Sequence, residues 1–205
     1  EFQSMALEGH EIGSHTMRHF DLTTLPWGNV NDDSTLLYEL YQSKIFIEQK
    51  IPAEKCISLN YPYTYHNGLV DSAAGLFYES GRTLEQVPND SSLSVEEWFG
   101  LKAKVVLFDM PRNSVSDDID ELITFLEWTQ NSINNRKWGM IIIHDVVPFN
   151  QLQELLNQGI YEPITNEWLN SLCDFLWARS SSKEVWVETV GNITRYIKER
   201  DEADY

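Results

Sequence analysis

The chain has 205 residues, 42% hydrophobic and 23% charged, a globular composition whose length suits one large domain over residues 1–205 rather than two small ones. Asp and Glu outnumber Lys and Arg by 32 to 15, for a formal net charge of -17. That balance excludes the basic footprint of a nucleic-acid binder and fits a neutral or cationic partner. The two cysteines, Cys56 and Cys173, are too few for a disulfide scaffold and form no C-x-x-C pair.

In chain order, Glu1 to Gly9 reads as the last turns of a helix closed by glycine, not as a signal peptide, and the start without Met reads as a fragment. Ser34 to Lys50 places Leu36, Leu37, Leu40, Tyr41 and Ile45 at helical spacing, with Ser34 as cap and Pro52 as stop. Cys56 to Leu59 reads as a strand running into a turn at Pro62. Leu69 to Leu76 reads as a helix, Pro88 to Leu93 as a loop and Lys104 to Phe108 as a buried strand. Asp117 to Ile133 carries a helical stripe of Ile119, Leu122, Ile123 and Leu126. Trp138 to His144 is an apolar strand whose run from Met140 to Ile143 expects burial on both faces. Thr165 caps a helix to Arg179, Glu184 to Glu188 reads as a strand, and Gly191 to Arg200 closes the chain as a helix. No apolar run reaches the ~18 residues of a membrane span. Strands alternating with helices predict an α/β domain with a mainly parallel sheet.

Three places carry residues suited to chemistry. His15 and His19 are four apart, which on a helical turn sets both imidazoles on one face, where they can chelate one cation. Two surface histidines on a helix are the plainer reading of that spacing alone. His144 ends the Ile141-Ile142-Ile143 run beside Asp145, where a histidine can serve as general acid; a loop histidine bonded by its neighbours is the equal alternative. In Asn60-Tyr61-Pro62-Tyr63, the proline fixes a turn, and the next backbone N–H can point at an oxyanion. Tyr61, Tyr63, Tyr65 and Trp98 fall on predicted loops and could line a sugar groove, whereas Trp128 and Trp168 fall on helices and suit a core.

Taken together, the three motifs resemble the polysaccharide deacetylase family, the NodB-like esterases of carbohydrate esterase family 4. Gly9-His10-Glu11-Ile12-Gly13-Ser14-His15-Thr16-Met17-Arg18-His19 matches the family's H-[ST]-x-x-H metal motif with its G-H-E-I-G lead-in. Tyr61-Pro62-Tyr63 resembles its R-x-P-Y motif, and Met140 to Asp145 its closing L-x-H-D motif. Val185 to Gly191, with Tyr196-Ile197, resembles the last strand and helix. The resemblance implies an α/β fold, a distorted (β/α) barrel of the NodB-like type, incomplete at its N-terminus. It implies hydrolytic removal of acetyl groups from a carbohydrate, an N-acetylglucosamine polymer or O-acetylated xylan, with metal-activated water as nucleophile. His15 and His19 would be ligands of a divalent metal, most often zinc. The Tyr63 backbone N–H would join the metal in holding the oxyanion, and His144 would protonate the leaving group. Ile142 would line the acetyl-methyl pocket, and Tyr61, Pro62 and Trp98 would lie on the substrate side. A secreted, periplasmic or cell-surface bacterial location follows from the same resemblance.

The chain departs from the pattern in two ways. The family's opening T-F-D-D motif, which supplies the base and the third metal ligand, is absent, and Asp21 or Asp33 would be a stand-in ligand on proximity in sequence alone. Asn60 occupies the position of the motif arginine. A non-catalytic fragment with a carbohydrate-binding or structural role is therefore the alternative reading, and an incomplete sheet edge would favour self-association. A 2-His-1-carboxylate iron site built from His19, Asp21 and His144 is a third reading, disfavoured by the alternating helices.

Overall fold

The computed structural model describes residues 1–52, 55–94, 97–105, 115–159 and 163–203, with the side chains of residues 115–118 excepted. In chain order the regular elements are α1 (Phe2–Leu7), α2 (Leu36–Lys50), β1 (Ser58–Asn60), α3 (Gly68–Ala74), β2 (Ser80–Arg82), β3 (Lys104–Val105), α4 (Val115–Asn134), β4 (Ile141–Ile142), β5 (Val146–Val147), α5 (Phe149–Asn157), β6 (Ile164–Thr165), α6 (Asn166–Ser181) and α7 (Val190–Ala203). They fall into two compact units. One comprises residues 1–85, 92–102 and 188–205, and the other residues 86–91 and 103–187.

In the first unit, β1 and β2 pair in parallel from Ser58 opposite Ser80 to Asn60 opposite Arg82. Parallel bridges from Ser14 to Leu59 and from Arg82 to Leu101 extend the set on both sides. Alternation along β1 sends Leu59 to the core, and Tyr61 beyond it joins the same side. That core is Leu22, Leu36, Leu40, Cys56, Leu59, Tyr61, Val70, Ala73, Ala74 and Tyr78, and it gathers α2 and α3 against the strands. The caps are local chemistry. Thr35 Oγ1 accepts from the Tyr38 N–H, so the cap lies one residue beyond Ser34. Asn67 accepts from both Leu69 and Val70 N–H groups at the start of α3, which satisfies two otherwise orphaned donors.

The G-H-E-I-G lead-in is structural here. Glu11 accepts from the Ser58 hydroxyl at 2.6 Å and from the Gly191 N–H at 2.7 Å, a carboxylate placed at the start of α7. A Cβ would be crowded at both glycines beside this contact. A Cβ at Gly191 would lie 2.6 Å from Ile57 Cδ1, and one at Gly13 would lie 2.8 Å from Ser58 Oγ.

In the second unit, β3 pairs with β4 and β5 with β6, both in parallel. The core is Phe125, Ile164, Trp168 and Leu172, with the Phe125 and Trp168 rings edge to face at 5.2 Å. Thr165 caps α6 as expected, accepting from Trp168 N–H at 3.1 Å. Of the stripe read on α4, Leu122 and Leu126 pack against this core. Ile119 and Ile123 are about half exposed, whereas Phe125, Thr129 and Ser132 are buried. Packing against Trp168 and Leu172 selects the face, and that partner is not visible in the helix's own periodicity.

The sheets are small and unclosed: among the described residues they form three separate parallel pairs, and no closed barrel is present. The strand read over Trp138 to His144 makes a ladder only at Ile141–Ile142. The strand read from Lys104 is paired at Lys104–Val105, and its remainder lies outside the described residues. Glu184 to Glu188 forms no ladder among the described residues, and Trp186 and Val187 are half exposed. Local β propensity needs a neighbouring strand to become a sheet. Among the described residues no helix is long and apolar enough to cross a membrane.

Candidate functional site

His15 follows directly from the Ser14 bridge to β1. Ser14 N–H donates to the Ser58 carbonyl at 2.9 Å, and its carbonyl accepts from Asn60 N–H at 2.8 Å. The next residue is thereby delivered to the C-terminal end of the parallel set, the end where α/β folds place their chemistry. His15 Nδ1 lies 2.8 Å from the Asn60 carbonyl oxygen. A carbonyl only accepts, so Nδ1 carries the proton and the lone pair of the neutral ring is on Nε2. This is the support a metal-ligating imidazole commonly has.

His19 reaches the same place by a route the spacing did not predict. The segment is an irregular loop, not a helical turn. Thr16 and His19 have φ of 65° and 59°, left-handed values that are uncommon in residues other than glycine. Thr16 N–H donates to Ser14 Oγ, and His19 N–H donates to Thr16 Oγ1. The two imidazoles meet edge to face with centroids 4.6 Å apart, and His19 meets Tyr63 at 4.7 Å. Both histidines are exposed.

Tyr63 stands in the turn after Pro62 with φ 56°, and Thr64 follows at φ 63°. The bonds of this turn are given by Thr64 and Tyr65 N–H to the Tyr61 and Pro62 carbonyls. Among the described residues the Tyr63 N–H joins no backbone hydrogen bond. Four left-handed non-glycine residues thus gather on two adjacent loops, and such strain concentrates at functional sites.

Behind these loops stand groups the sequence reading did not single out. Arg18 donates to Glu39 twice, from its backbone N–H at 2.8 Å and from Nε at 2.7 Å. Glu39 is fully buried, and its carboxylate holds the Arg18 guanidinium above its ordinary range. Asp71 accepts from the Tyr61 hydroxyl at 2.9 Å and lies 3.0 Å from His66 Nδ1. The His66 ring stacks on Tyr61 at 5.1 Å. Arg82, in register with Asn60, is partly buried, and desolvation brings its guanidinium down to about 10. The signal for Glu39 was a charge between Leu36 and Leu40 on the inward face of α2; for His66 and Asp71 there was none.

Other candidates need correction. Tyr61 is 1% exposed and Trp98 6% exposed, so their ring faces belong to the interior and do not line a groove. Burial and the Asp71 carboxylate push the Tyr61 phenol up. Pro62 is buried as well. Tyr63 and Tyr65 are exposed, as a sugar platform requires. Ile142 is partly buried in β4, and His144 is exposed two residues past its end.

The donor set suits a divalent metal as far as it goes: two imidazoles converge, and one is fixed in the ligating tautomer. Among the described residues no group of three or more His, Cys, Asp or Glu is placed to hold a metal ion. Asp21 instead accepts from Thr23 N–H and its hydroxyl, and Asp33 faces Arg18 at 3.7 Å.

No protein-family model matches the chain. Over 97% of its length it superposes on 66% of a chain from Mycobacterium smegmatis assigned as a polysaccharide deacetylase, with a TM-score of 0.58 and 14% identity. The chain has the polysaccharide deacetylase fold. A second deacetylase structure, from Bacillus cereus, aligns with 50% of this chain and 30% of its own at TM-score 0.41 and 22% identity. In sequence, 99% of the chain is 25% identical to a gellan lyase of a Bacillus species. The chain spans only 8% of that lyase.

Proposed function

We propose that the chain is a metal-dependent carbohydrate deacetylase domain, with zinc as the metal. The observation that supports this best is the convergence of His15, His19 and Tyr63 at one strand end, with His15 Nδ1 bonded to the Asn60 carbonyl. His15 and His19 would be two of the metal's ligands. A divalent ion held there supplies Lewis acidity toward an acetyl carbonyl.

The chain's own residues carry the rest of the reading. The Asn60 carbonyl keeps the proton on His15 Nδ1 and so keeps Nε2 basic. The Tyr63 N–H is available to an oxyanion, where one such donor contributes about 2.7–4 kcal/mol to a tetrahedral transition state. Exposed Tyr63 and Tyr65 offer aromatic faces to sugar C–H groups. By the resemblance of Met140 to Asp145 to the closing motif, His144 would donate the proton to the departing amine or alkoxide. The acetylated substrate is a polymer of N-acetylglucosamine or an O-acetylated xylan, and the protein acts outside the cytoplasm of a bacterium.

The test is zinc content and acetate release. Stoichiometric zinc lost in both His15→Ala and His19→Ala is expected, with zinc-dependent acetate release from acetylated oligosaccharides that disappears in His144→Ala. Sugar binding without zinc or acetate release would instead establish a non-catalytic carbohydrate-binding domain.

A further inference from the structure

Resting on that reading, we infer that Glu39 and Ser43 of α2 are positioning residues that set the distance between His15 and His19. The two lie four apart and so share one helix face. Both are buried, at 0% and 5% exposure, on a helix whose other buried residues are Leu36 and Leu40. Each reaches one end of the histidine loop. Ser43 Oγ meets Ser14 Oγ at 2.7 Å, immediately before His15. Glu39 takes both the backbone N–H and the Nε–H of Arg18, immediately before His19.

The arrangement answers a geometric problem. The loop carries left-handed Thr16 and His19, and among the described residues its internal hydrogen bonds are those from the Thr16 and His19 N–H groups to the Ser14 and Thr16 hydroxyls. The β1 bridge and the Asn60 carbonyl hold the His15 end, and an irregular loop fixed at one end can still drift at the other. Tying both ends to one rigid helical face fixes the separation of the imidazoles. A fully buried carboxylate is a costly residue on an apolar face, and here it is matched by a charge-assisted pair aimed at the loop, not at the core. Outer supports of this kind typically change metal affinity by about 10–100-fold.

The experiment compares the wild-type chain with Glu39→Gln and Ser43→Ala, reading zinc affinity, the cobalt(II) absorption spectrum, and proton NOEs between the His15, His19 and Tyr63 rings without metal. Leu40→Ala serves as a control that removes core packing on the same helix while leaving the Ser43 and Glu39 hydrogen bonds in place. Glu39→Gln should weaken zinc binding by about tenfold or more, alter the cobalt spectrum and lose the His15–His19 NOE. Ser43→Ala should act in the same direction by a smaller factor. Leu40→Ala should lower the melting temperature while keeping wild-type zinc affinity. A folded Glu39→Gln chain with the wild-type NOEs overturns the proposal. If that variant does not fold, Arg18→Leu with Glu39→Leu removes both charges together, and retention of the ring NOEs in it overturns the proposal equally. Absence of zinc binding by the wild type would overturn the metal reading alone, since the NOEs decide the positioning role without metal.

Discussion

His15 and His144 both follow a short stretch of parallel pairing, yet the two strand ends are built differently. His15 is preceded by a bridge with backbone bonds in both directions, held at Nδ1 by the Asn60 carbonyl, and flanked by His19 and Tyr63. The strand it borders rests on a core drawn from α2 and α3. His144 lies two residues beyond a two-residue strand whose isoleucines are only partly buried. The comparison teaches that a site residue is defined by what fixes its ring as much as by its motif. At His15 the hydrogen bond to the Asn60 carbonyl specifies a tautomer and the ring contact specifies a neighbour.

The comparison is broken most decisively by metal binding. His15→Ala or His19→Ala should reduce zinc affinity by a hundredfold or more, exceeding the about 10–100-fold typical of outer partners, whereas His144→Ala should leave it within twofold. Calorimetric titration of the three variants checks this, and equal losses in all three would merge the two strand ends into one ligand set. The next largest effect concerns stability. Trp168→Ala should destabilise the second unit by about 3–5 kcal/mol and Leu40→Ala the first by about 2–5 kcal/mol, seen in chemical denaturation. Asp71→Ala would orphan the buried Tyr61 hydroxyl and release His66, costing about 1–3 kcal/mol. Its effect on zinc affinity should be slight, because the Asp71 hydrogen bonds go to Tyr61 and His66. The smallest change is Thr165→Ala at the start of α6, worth about 1 kcal/mol as a lost cap; melting temperatures against wild type resolve it.

Several elements were legible because they rest on local chemistry. The end of α1 at Gly9, with φ of 95°, and the cap at Thr165 follow from residue type. The helix from Leu36 to Lys50 was readable from its spacing and from Pro52, with its cap shifted by one residue. Elements that depend on a distant partner were misplaced in part. Of the stripe read on α4, Leu122 and Leu126 pack on the core while Ile119 and Ile123 are half exposed, because periodicity ranks hydrophobicity but does not know where Trp168 lies. The strand at Glu184 to Glu188 was read from propensity that no neighbouring strand completes. Tyr61 and Trp98 looked like groove residues because a loop assignment says nothing of burial.

By itself the sequence determined the chemistry on offer: two imidazoles four residues apart, a proline-fixed turn and a histidine after an apolar run, in an order that resembles one family. Those are properties of residue type and local spacing. Tertiary structure decided which of them meet. The convergence of His15, His19 and Tyr63 arises from left-handed loop residues, the Asn60 carbonyl and a buried face of α2, contacts between segments about 20 to 45 positions apart. Each such contact depends on a chain-wide packing solution, and no window of sequence contains one.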